Sequence, residues 1–254
     1  MTARAAIVAA GALMLGATIA AAQQGAPRGG RVRMMAAPNP SAVVSAELAF
    51  ARLAQVRGQW TAFRETAADD AIMFVPGTVN ARDWLRRQTD PAQAVRWSPR
   101  AVYVSCDGGY ALSTGPWTRP DGSSGTFNTI WRRQRKGGFK WVLDFGSDRP
   151  FSAGSDDMLI DGKVADCAGR RGPGGPGGDD EGDDRRRPRA LPVVEIPNPP
   201  PQSGEGQSND GTLRWRWTND ATSRALVVTM RYQGEEREIA HETATPAPAT
   251  ATAP

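Results

Sequence analysis

Histidine and cysteine are nearly missing from this chain: its 254 residues include one histidine, His241, and two cysteines, Cys106 and Cys167. With its single imidazole so close to the C-terminus, the body of the chain has none to serve in a triad or as a general base. A zinc site would lack its usual Cys and His ligands. There is no strongly apolar run of the roughly 20 residues that a retained spanning helix needs. Charge of one sign is also in short supply. The 31 basic and 27 acidic residues leave +4, part of it in the first 33 positions, so the body is no polycation and no nucleic-acid partner is expected. No cofactor is expected either, because the glycines of residues 172–178 neither follow a clear strand nor open a helix, as a phosphate loop must. The acidic run at 179–184 abuts Arg185–Arg187 and has no fixed ligand geometry, so it reads as solvated linker and not as a metal site.

What is present begins with a signal for export. Arg4 supplies a positive start, residues 5–19 are uncharged and apolar, and Ala20-Ala21-Ala22 places small side chains before Gln23. This is the pattern of a cleavable secretory peptide over residues 1–22. No stable membrane anchor is expected after cleavage, which would deliver the chain to the periplasm or the medium. In such a compartment Cys106 and Cys167 are expected to pair. Closing that loop of roughly 60 residues would be worth about 4 kcal/mol in the chain-entropy picture.

The organisation follows from periodicity. Residues 23–40 form a leader of Gly, Pro, Arg and Ala. Ser41 is a fair N-cap for a helix over 42–56 whose expected apolar face is Val43, Ala46, Phe50, Leu53 and Val56, broadened by Val44 and Leu48. Gly58 ends it. A second helix over 59–67 carries Trp60 and Phe63, a buried strand covers 71–75, and Asn80 caps a third helix with Trp84 and Leu85. From Val95 the period becomes two. Turn signals at 107–109, 120–122 and 136–138 separate antiparallel strands, and the last is expected to hold Phe139, Trp141, Leu143 and Phe145 on one face. Helices followed by a meander make an α+β domain over 41–167, with a weak helix expected near 156–167. Residues 168–210 read as a Gly/Pro and charged linker, 211–241 as a small β-unit in which Trp215 and Trp217 alternate with arginines, and 242–254 as a disordered tail.

Two segments suggest a family: AELAFARLAQVRGQWTAFRETAADDAIMFVPG at 46–77, and GPWTRPDGSSGTFNTIWRRQRKGGFKWVLDFG at 115–146. Over roughly residues 41–150 the chain resembles the nuclear transport factor 2-like superfamily, which includes ketosteroid isomerase-like and SnoaL-like proteins, and within it exported bacterial members of unknown function. The resemblance implies a cone-shaped α+β fold with a pocket between the helices and a bent sheet, and a homodimer formed through the outer sheet face. It also locates the isomerase base at Val75, before Pro76-Gly77, where a valine cannot take a proton. Dehydratase relatives use a pocket histidine, and His241 is not so placed.

The remaining chemistry rests on carboxylates and aromatic rings. Asp69, Asp70 and Asp144 are the acids expected nearest the cavity, with Asp70 and Asp144 the acid/base candidates. Ser105 and Ser113 have no evident base to activate them. Trp60, Phe63, Phe74, Tyr103, Trp117, Trp131 and Trp141 are the candidate pocket lining. Three readings follow. One is a non-catalytic exported protein binding a small apolar ligand or an envelope partner. Another is an isomerase or hydro-lyase working through Asp70 or Asp144. A third is an interaction module using the sheet face or the C-terminal β-unit.

Overall fold

The computed structural model describes residues 37–152, 159–167 and 201–245. The export segment, most of the leader, the acidic and proline-rich stretches and the end of the tail lie outside these residues.

Helix α1 spans Pro40–Arg57. Its cap is Asn39, whose side chain accepts from the Ala42 amide, while Pro40 takes the first helical position, where its missing N–H costs nothing. The expected cap at Ser41 therefore moves two residues upstream. The buried stripe is Val43, Glu47, Phe50 and Ala54, and Val56 is 72% exposed. The apolar letters placed the face slightly off-axis, because a carboxylate occupies its centre. Gly58, at φ 104°, turns the chain into α2, Gln59–Thr66. Asp90 caps that turn from a distance, accepting from the Thr61 amide at 3.0 Å.

Strands β1 (Ala67–Phe74) and β2 (Thr78–Asn80) form a hairpin that leads into the short helix α3, Ala81–Leu85, capped by Asn80. There follow β3 (Arg96–Trp97), β4 (Ala101–Val104), β5 (Tyr110–Thr118), β6 (Ser124–Arg133), β7 (Phe139–Ser147) and β8 (Asp161–Val164). They join one sheet in the order β2-β1-β7-β6-β5-β4-β8, with β3 on β5. The β1/β7 and β4/β8 contacts are parallel and the others antiparallel. Among the described residues the main unit is thus a mixed α/β structure of one large sheet and few helices. β8 corrects the weak helix expected at 156–167: Asp161–Val164 is an edge strand on β4, and Cys106 and Cys167, just beyond the ends of β4 and β8, are joined in a disulfide.

A bulge in β7 decides which side chains face the helices. Ile130 pairs with Leu143 but Trp131 pairs with Trp141, so Val142 is the extra residue. Trp141 therefore packs among the helices, whereas Leu143 and Phe145 turn to the opposite face. The single face expected for Phe139, Trp141, Leu143 and Phe145 is divided. A one-residue slip inverts every later side chain, and it brings Asp144 to the helix side.

The opposite face is covered by a second sheet in the order β12-β11-β10-β9, formed by β9 (Ser203–Gln207), β10 (Leu213–Asn219), β11 (Arg224–Tyr232) and β12 (Glu235–Ala244). Leu213, Trp217, Leu226, Val228 and Met230 form one core with Phe74, Leu112, Ile130, Leu143 and Phe145. The unit is longer at both ends than the expected 211–241. SGEGQ at 203–207 reads as linker, yet Gly204 and Gly206 pair with Trp217 and Trp215 and lie beneath their indoles. A Cβ at Gly204 would sit 2.7 Å from the Trp217 ring, so small residues are what this strand needs. His241, expected at the edge of the tail, lies in β12 beside Glu238.

Candidate functional site

Between the helices and the large sheet lies a pocket of about 530 Å³. Helix α1 contributes Phe50, α2 contributes Gln59, Trp60 and Phe63, β3 contributes Trp97, and β1, β6 and β7 contribute Met73, Phe127 and Asp144. Edge-to-face contacts lock the aromatic wall: Phe50–Phe63 at 4.7 Å, Phe50–Trp97 at 4.9 Å and Trp60–Phe63 at 5.5 Å between centroids. Arg119, Asp148 and Arg224 add charge to the lining, and the C-terminal sheet supplies two residues of it, Arg224 and Ala244.

The expected lining divides. Trp60, Phe63, Phe74 and Trp117 reach the pocket. Trp131 and Trp141 do not: both are fully buried, and their indole N–H groups are spent on Glu47 and Thr66. Tyr103 stands on the far side of the sheet, beside Lys163. Large aromatics fill a core as readily as they line a cavity, and alternation alone does not separate the two uses.

The carboxylates divide as well. Asp69 is exposed and pairs with Arg82. Asp70 makes a bidentate pair with Arg132, at 2.6 and 2.7 Å. Burial pushes its pKa up, but the hydrogen bonds and charge of Arg132 outweigh that and hold it below the usual value. Asp70 is therefore a structural ion pair outside the pocket, which corrects its place among the acid/base candidates. Asp144 is different. Its Oδ2 accepts from Thr129 Oγ1 at 3.1 Å, and Oδ1 has no partner among the described residues. Burial, and then the charge of Glu47, raise its pKa to about 7. At neutral pH it can either accept or release a proton.

Glu47 is one of the residues that sequence reasoning missed, with Trp97 and Phe127 of the pocket wall. It is 0% exposed and sits behind the pocket wall. Oε1 accepts from Trp97 Nε1 at 2.7 Å, and Oε2 from Trp131 Nε1 at 2.9 Å and Ser113 Oγ at 2.5 Å. Burial raises its pKa against the pull of those three donors. Ser113 thus does contact a carboxylate, although its own complete burial keeps it from any ligand. The missed signal was spacing: Glu47 falls four residues after Val43 and three before Phe50, at the centre of the buried stripe.

Trp217 is buried against Phe74, and Trp215 is half-buried and tilts over Tyr110, so the two do not form a cluster of exposed rings. Among the described residues no three metal-type ligands converge, and no helix is long and apolar enough to cross a membrane.

No family model and no curated protein matches the chain. A comparison with solved structures finds a "putative ketosteroid isomerase" from Parabacteroides distasonis, 17% identical, covering 44% of this chain and 95% of that one with a TM-score of 0.34.

Proposed function

We propose that this is an exported protein of the nuclear transport factor 2-like class that holds a small, mostly apolar ligand in the pocket between its helices and large sheet. The observation carrying this reading is the pocket itself: about 530 Å³, walled by Phe50, Trp60, Phe63, Trp97 and Phe127, with one free carboxylate oxygen at Asp144. That is the composition of a ligand site, a largely apolar surface with a few polar groups to orient what binds. The disulfide is compatible with an oxidising compartment. Native mass spectrometry of protein secreted by its source cells tests the reading. A retained small molecule that is lost in Phe63→Arg supports it; protein that emerges empty and binds no apolar dye in the pocket refutes it.

A second reading is favoured by Asp144 specifically. A carboxylate with a pKa of about 7, in an aromatic pocket and free of an arginine pair, suits proton abstraction next to a carbonyl. Deuterium exchange at the α-carbon of an apolar ketone measures this directly. The rate should rise through pH 7 and vanish in Asp144→Asn. Exchange no faster than buffer excludes the catalytic reading and leaves the binding reading intact.

A further inference from the structure

We propose that the pocket selects an organic cation: a protonated amine carried on a largely apolar body. This rests on the reading of the pocket as a ligand site and adds the charge of what it takes. Four charged side chains line the pocket and one lies just behind it. The two cations are already engaged. Arg119 lies over the Trp117 ring, its Cζ 4.1 Å from the centroid, with its Nη1 3.6 Å from Asp148 Oδ1. Arg224 donates through Nη1 to the Phe74 carbonyl and through Nη2 to the Gly146 carbonyl, both at 3.0 Å, and its guanidinium stands 5.2 Å from the centre of the Phe145 ring. Its remaining Nε is sealed away from solvent. Arg224 therefore presents no open fork to a ligand, while Arg119, which is exposed, spends its Nη1 on Ser123 and Asp148.

Arg224 carries no ion pair among the described residues, but its two Nη groups are spent on carbonyls, whereas the anions keep acceptor capacity. Asp144 keeps Oδ1 open, and Glu47 carries no ion pair among the described residues. All three groups that Glu47 contacts are hydrogen-bond donors, two of them indoles that can do nothing else, and a donor cage fits a carboxylate rather than a carboxylic acid. One of those indoles, Trp97, forms the pocket wall, so negative potential stands directly behind an aromatic surface. Aromatic faces attract cations, most strongly where water is displaced. An ammonium in this pocket would give its protons to Asp144 Oδ1 and rest against the rings of Phe50, Trp60 or Phe63. A carboxylate ligand would meet Asp144 and the field of Glu47 instead.

Charge selection also links binding to pH. An amine stays protonated well above neutrality, so the titrating partner is Asp144, influenced by Glu47 on α1 and Arg224 on β11, with Arg119 and Asp148 further along the lining. With half-ionisation near pH 7, amine affinity should weaken about 30-fold from pH 8 to pH 5.5, as the competent fraction falls.

Phenylbutylamine, phenylbutanol and phenylbutanoate share one body and differ in the charge of one end. Their binding to the full-length mature protein is followed by calorimetry and by quenching of pocket tryptophan fluorescence. The expected order at pH 8 is amine at least about tenfold tighter than alcohol, with the carboxylate weakest. At pH 5.5 the amine loses its advantage while the alcohol is unchanged. Asp144→Asn abolishes the advantage of the amine over the alcohol. Tightest binding by the carboxylate, or equal binding by amine and alcohol, overturns cation selection and leaves the ligand-site reading standing. Failure of all three to bind overturns both.

Discussion

Replacing Asp144 by asparagine should remove a pH dependence from the stability of the whole fold. The folded protein holds a proton on Asp144 up to about pH 7, whereas the unfolded chain releases it near the ordinary 3.8. Between those values the folded state binds more protons, so stability falls as pH rises, and the loss is complete above pH 7. At 1.36 kcal/mol per pH unit the carboxylate costs about 2 kcal/mol at pH 5 and about 4 kcal/mol at pH 7. The change across that interval is about 2 kcal/mol. Asparagine keeps the shape, keeps an oxygen for Thr129 and has no proton to lose. Urea unfolding of both proteins at pH 5, 6 and 7 reads the difference directly. Subtracting the two profiles cancels the groups that titrate alike in both. The variant should gain on the parent by about 2 kcal/mol from pH 5 to pH 7. Parallel profiles would refute the placement of Asp144 as a desolvated carboxylate, and with it the pH arm of cation selection.

Glu47→Gln should cost about 2–3 kcal/mol in the same urea assay, because its amide N–H groups would face the indole N–H of Trp97 or Trp131, which can only donate; an unchanged midpoint would mean that the cage relaxes. Opening the Cys106–Cys167 bond, by Cys106→Ser with Cys167→Ser, should lower stability by about 4 kcal/mol for a sequence separation of 61. A loss under about 1 kcal/mol would show that β8 is held by its pairing to β4 alone. Gly206→Val should undock β9, since a side chain there meets the Trp215 indole. Proteolysis within 201–210 reports it, and full protection would contradict the pairing.

The outline of the fold was legible because it is local. Turn glycines, the Asn80 cap and period-two runs located α2, α3 and the strands of the meander to within a few residues. The pocket was less legible, for two physical reasons. A bulge has no signature in alternation, so Val142 went unrecognised, and with it the turn of Leu143 and Phe145 away from Trp141. A polar residue at the centre of a helical stripe reads as an interruption, so Glu47 was passed over in favour of Leu48 and Val56, which face solvent.

By itself the sequence located α1, α2, α3 and the strands of the meander, and offered Cys106 and Cys167 as the only pair of thiols. Those follow from composition and short-range geometry. Tertiary structure alone decided that Asp70 is tied to Arg132 while Asp144 is free. It alone decided that Tyr103, Trp131 and Trp141 leave the pocket to Phe50, Trp97 and Phe127, and that an apparent linker closes a sheet beneath two tryptophans. Each of these depends on which residues, tens of positions apart in the chain, come to share one face, and strand register sets that only once the sheet has formed.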